Sequence, residues 1–174
     1  WPIDFDPWDP LRDWHWLDQH YYKDIHPHLK PILDEKIDEI VEFAPDVVGF
    51  TLYYCNEAPT KYVAEQLKKR MPDVVIMVGG PSTHASYYKG DDLFDYIVNG
   101  EGEQPLLLAL ESIEKKQGIQ YNEKEKSMII RQPENQRYNL STLPLPDYSD
   151  FDFSKYKFPN GALCEISRGC IAKC

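Results

Sequence analysis

Apolar positions along residues 33–113 follow two alternating rhythms. Leu33, Ile37, Ile40, Val41 and Ala44 recur at helical intervals and predict an amphipathic helix with one buried face, stopped by Pro45. The run Asp46–Leu52 that follows has strand length and is nearly all apolar. A second helix is predicted over about 57–70, with Val63, Leu67 and Met71 on one stripe and Pro72 behind it. Val74–Val78 forms a second apolar run leading into Gly79-Gly80-Pro81, and Asp95–Val98 a third leading into Gly100-Glu101-Gly102-Glu103. The helix after it carries Leu106, Leu107, Leu110 and Ile113. Apolar strands of this kind are those of a parallel sheet covered on both faces.

The alternation therefore predicts an α/β fold, a flavodoxin-like or Rossmann-like parallel sheet with helices on both faces and right-handed crossovers. In such sheets ligands bind beyond the carboxyl ends of the strands. The three strand ends carry Thr51, the pair Gly79-Gly80, and Gly100-Glu101-Gly102. The α/β domain is expected over 33–126. Residues 1–32 form a separate segment that holds all four tryptophans (Trp1, Trp8, Trp14, Trp16) and four of the five histidines. Packing over the domain edge accounts for such a segment, since the histidine spacings match no metal motif; an aromatic ligand surface is the alternative. Residues 127–160 are expected to hold one more strand or a hairpin, then the proline-fixed connector Leu143-Pro144-Leu145-Pro146. A last strand, Ala162–Ser167, delivers Arg168-Gly169-Cys170 and, four positions on, Cys174. Residues 161–174 thus read as the opening of a second domain. A chain of 174 residues that opens on Trp1 and closes on a cysteine reads as a piece of a longer one.

Charge narrows the partners. Asp and Glu number 29 against 19 Lys and Arg, a net charge of −10, which would repel a nucleic-acid backbone. Plain apolar runs such as Leu106–Leu110 are far too short to span a bilayer. The four cysteines are too few for a disulfide framework and point to a reducing, cytoplasmic compartment.

Three features carry chemistry. Gly79-Gly80 after a buried strand lets a ligand approach bare backbone, or simply makes a tight turn. The Gly100–Glu103 turn opens a helix whose free N–H groups face the crevice, yet Glu101 and Glu103 suit amide or hydroxyl donors better than a phosphate. Cys170 and Cys174, spaced at a glycine turn, suit two thiolate ligands of one metal or cluster that other residues must complete. His84, in Pro81-Ser82-Thr83-His84, borders the crevice as a possible ligand contact.

Taken in order, Thr51-Leu52-Tyr53, Gly79-Gly80-Pro81, Gly100-Glu101-Gly102-Glu103, Leu143-Pro144-Leu145-Pro146 and Ser167-Arg168-Gly169-Cys170 resemble radical S-adenosylmethionine enzymes with an N-terminal cobalamin-binding domain. The resemblance implies that Thr51 lies near the nucleotide tail of cobalamin. It implies that Gly79 and Gly80 give that tail room, and that Gly100, Glu101 and Gly102 line it. It implies further that Cys170 and Cys174 are the first two ligands of a 4Fe–4S cluster whose open iron binds S-adenosylmethionine. The third cysteine would fall beyond residue 174. The family's first strands, expected ahead of residue 33, are not seen in 1–32. A parent enzyme of this kind is a methyltransferase or radical cyclase, reduced by a flavodoxin or ferredoxin and acting on a small molecule. Two other readings are a radical enzyme whose first domain has lost cobalamin, and a non-catalytic module with a structural metal.

Overall fold

The computed structural model describes residues 20–53, 55–83, 93–115, 128–131, 139–155 and 161. They fall into two compact units, 1–133 and 134–174. The first is a four-stranded sheet of order β1-β2-β3-β4, with β1 Val47–Thr51, β2 Val75–Gly79, β3 Tyr96–Asn99 and β4 Met128–Arg131. Every neighbouring pair is parallel. The predicted sheet is therefore present. Residues 128–131 are its fourth strand rather than half of a hairpin. The intervening helix α3, Glu103–Glu114, provides the crossover that a parallel partner of β3 requires.

The helix α1 runs over His26–Phe43 and is preceded by a π-helical turn, Tyr21–Ile25. It starts well before Leu33, so the expected division after residue 32 falls inside it. Pro27 sits in the first turn, where a missing N–H costs nothing, and Pro31 gives up one bond inside the helix. Tyr21 and Ile25 are fully buried with Leu29 against Ala58, which anchors the turn by packing. His26 is part of that packing, its ring 4.5 Å from that of Tyr62 and its Nδ1 3.3 Å from the Tyr21 hydroxyl. Burial pushes the Tyr21 phenol far above its usual range. Burial, reinforced by the nearby Lys30, holds the His26 imidazole below its own. The other end of α1 closes on Ala44 in the left-handed region (φ 51°), whose N–H reaches the carbonyls of Ile40 and Val41. Ala44 is thus the cap and not a member of the buried stripe.

Helix α2, Glu57–Arg70, lies beside α1 on one face of the sheet. Ile37, Val63, Ala64 and Leu67 from the helices meet Ile76, Val78 and Ile97 from the strands in the main core. Each of the Val, Leu and Ile side chains contributes about 1.5–3 kcal/mol on full burial. On the opposite face α3 packs over β3 and β4, joining Ala109 to Met77 and Val98. Helices thus cover both faces. The face that α3 turns inward is Pro105, Ala109 and Ser112, while Leu106, Leu107, Leu108 and Leu110 stay 40–56% exposed. Ile113 packs partly buried beside the inward three, and small residues permit close approach of helix to sheet.

At the amino end of the sheet, Asp95 bridges two strands. Its Oδ2 accepts from the Ile76 N–H at 2.7 Å and from Lys68 Nζ at 2.6 Å, and its own N–H donates to the Ile76 carbonyl at 2.8 Å. In the second unit, Asp147 accepts from the Ser149 N–H, which holds its carboxyl below the usual range, and the rings of Tyr148, Phe151 and Phe153 pack together.

Because Ile76 is fully buried, Asp95→Ala strands its N–H. The expected cost is about 1–3 kcal/mol in chemical denaturation, with a smaller loss for Asp95→Asn, which keeps an acceptor.

Candidate cofactor site at the carboxyl ends of the strands

The ends of β1 and β2 are joined backbone to backbone. Leu52 N–H donates to the Gly79 carbonyl at 2.7 Å, and Ser82 N–H donates to the Leu52 carbonyl at 3.2 Å. Gly80 makes this possible. It takes φ +108°, and a Cβ there would lie 2.8–2.9 Å from the backbone oxygen and nitrogen of Leu52 and from Thr51 Cγ2. Its glycine is thus required by the neighbouring strand, independently of any ligand. Gly79 is different, since a Cβ would meet Val98 at an ordinary 3.5 Å.

Asn56, at the start of α2, braces the first loop. Its Oδ1 accepts from the Tyr53 N–H at 2.8 Å, and its Nδ2 donates to the Thr51 carbonyl at 2.9 Å. Asn99, at the end of β3, donates from Nδ2 to the Thr83 carbonyl at 2.7 Å. The rim is thereby continuous from the first loop to the third. Neither asparagine stood out in the sequence. A clue was available in Asn56, because asparagine one residue before a predicted helix is a capping signal that also stabilises turns.

The sheet surface under this rim is made of small residues. Strand residues alternate between faces, and Val47, Val75 and Met77 lie on the α3 side. Gly49, Thr51 and Gly79 share that side. Gly49 and Thr51 are exposed, and a Cβ on Gly49 would meet nothing within 4 Å. No helix among the described residues covers this part of the face, because α3 sits over β3 and β4. The result is an open trough at the carboxyl half of β1 and β2. Among the described residues β1 is accordingly a half-covered edge strand, not the doubly buried one that its apolar run suggested.

The sequence-predicted residues distribute around the trough. Thr51 lies on its floor with Gly79 beside it. The Leu52 side chain belongs to the core, 1% exposed, and only its backbone takes part in the rim. Tyr53 is half exposed and Pro81 exposed. Gly100 turns the chain with φ +93°, and Gly102 caps α3, accepting from the Leu106 N–H at 2.8 Å. Glu101 is half-buried, and Glu103 is the first residue of that helix. His84, Cys170, Cys174 and the tryptophans lie outside the described residues.

A family model described as the B12 binding domain matches residues 18–110, more than half of the chain. The chain belongs to the B12-binding domain family. The match spans the π-helical turn, β1 to β3 and most of α3, so every rim element belongs to the family's domain. No curated protein and no solved structure gives a match. The residues fit the cofactor that the family implies. A floor of glycine and threonine leaves room for a long ligand tail, and the Glu101 and Glu103 carboxylates at the third loop suit the amide-rich periphery of a corrinoid.

Two substitutions separate space from strain. Gly49→Val adds a β-branched residue to a strand where nothing obstructs it, so thermal stability is expected to hold or rise. Corrinoid affinity in the same variant should drop at least about tenfold, a loss of ~1.4 kcal/mol, as the floor fills. Gly80→Ala should instead destabilise the fold by about 1–3 kcal/mol, measured by denaturation without ligand.

Proposed function

We propose that this domain binds cobalamin with its nucleotide tail along the Gly49, Thr51 and Gly79 floor, between the first and third loops. The open small-residue trough at the strand ends carries this reading. Thr51 offers a hydroxyl to the tail, the loop Gly100–Glu103 offers carboxylates to peripheral amides, and the bonded rim keeps the three loops from collapsing over the space. When bound, cobalamin supplies a cobalt centre able to carry a methyl group. The chain's own residues bind and orient it and exclude water from the tail.

In this proposal the domain serves a radical S-adenosylmethionine enzyme of the methyltransferase or radical cyclase class. Support comes from the order of motifs along the chain, ending in Ser167-Arg168-Gly169-Cys170 and Cys174. Cys170 and Cys174 would supply two thiolates to a 4Fe–4S cluster that binds S-adenosylmethionine, with a flavodoxin or ferredoxin as reductant, a small molecule as substrate and the cytoplasm as setting.

The cobalamin reading is tested by titrating the purified chain with hydroxocobalamin and following its visible spectrum. Saturable binding of one equivalent with a dissociation constant at or below about 10 μM is expected, and no binding at tenfold higher concentration overturns it. The radical-enzyme reading is tested separately on the parent protein purified without oxygen. About four irons with equal sulfide are expected, and zinc without sulfide overturns that part alone.

A further inference from the structure

Between the second and third loops stands a polar pair with an unusual side chain. Asn99 holds the Thr83 carbonyl at 2.7 Å, and the Thr83 N–H donates to the Gly80 carbonyl at 3.0 Å. Both backbone groups of Thr83 are thus tied. Its side chain is carried inward, 4% exposed, and Oγ1 is buried with no hydrogen-bond partner among the described residues. A buried hydroxyl in that condition weakens a fold, because its lost hydration is not repaid. Valine has the same shape and no such defect, so stability alone does not account for threonine here. The residue sits at the carboxyl end of the sheet, where this class of fold places its ligands.

We propose that Thr83 is a hydrogen-bonding residue of the corrinoid site and that Asn99 is its positioning residue. The inference rests on the cobalamin reading above and adds a contact between the second and third loops. Adjacent strands stand only about 4.8 Å apart, too close for a corrin ring to enter between their ends. The partner of Thr83 is therefore a slim part of the ligand, a ribose hydroxyl or phosphate oxygen of the nucleotide. Because Oγ1 is covered in the unliganded chain, the contact forms as the Gly80–Thr83 turn yields locally.

The experiment compares cyanocobalamin with dicyanocobinamide, which lacks the nucleotide, on the whole chain and on Thr83→Val, Thr83→Ser and Asn99→Asp. Thr83→Val should melt at the same temperature or higher yet bind cyanocobalamin about five- to tenfold more weakly, the loss of one hydrogen bond. Its affinity for dicyanocobinamide should not change. Thr83→Ser should stay close to the unaltered chain. Asn99→Asp, of the same shape without the donor, should show the same selective loss. A lower melting temperature for Thr83→Val with unchanged cyanocobalamin affinity would mean a structural hydroxyl served by a buried water, and the proposal would fall. Equal losses on both corrinoids would overturn the nucleotide assignment. If the unaltered chain bound neither corrinoid, the cobalamin reading would fail first. Normal binding unaffected by Thr83→Val removes this inference alone.

Discussion

The seam at Leu52 is the constraint on which the site depends. Its side chain is locked in the core while its backbone N–H is bonded to the last residue of β2 and its carbonyl to the loop that follows. Gly80 approaches so closely that no other residue fits without displacing a neighbouring strand. The first and second loops therefore behave as one piece, and Asn56 and Asn99 extend that piece toward α2 and β3. A rim made in this way keeps its shape through hydrogen bonds between loops rather than through the loops' own structure. A rim largely set before binding lowers the ordering cost, and only the Gly80–Thr83 turn has to give.

The sheet is covered unequally, and the proposed function rests on the inequality. α1 and α2 close one face with large aliphatic side chains, which is where the main core forms. The other face has α3 over β3 and β4, seated on small residues, and the open surface of Gly49, Thr51 and Gly79 beside it. A larger side chain at Gly49 would have gained apolar contact only by filling the trough. Space has been kept where packing would otherwise have added stability.

Much of this was legible in advance. The helix over 57–70 and the three apolar strands follow from spacing and from Pro45 and Pro72, because proline and period act locally. The start of α1 did not show, since Pro27, Pro31 and the histidines mask a helix whose beginning is secured by Tyr21 and Ile25 packing on Ala58. In α3 the buried positions are Pro105, Ala109 and Ser112, with Ile113 packed beside them, while the leucines named from the sequence stay largely exposed. Glycines at the strand ends suggested a ligand crevice, yet the duty of Gly80 in the seam stayed hidden, as did the open space at Gly49 inside β1.

By itself the sequence determined the order of elements, the parallel α/β class and the three loops of the proposed site, since each rests on residues close together in the chain. Tertiary structure alone decided which face stayed open, which glycine was a matter of strain and which of space, and that two asparagines would tie the loops together. Those outcomes depend on contacts between strands and helices far apart in sequence, where register and rotation set the distances. Local pattern holds no record of them.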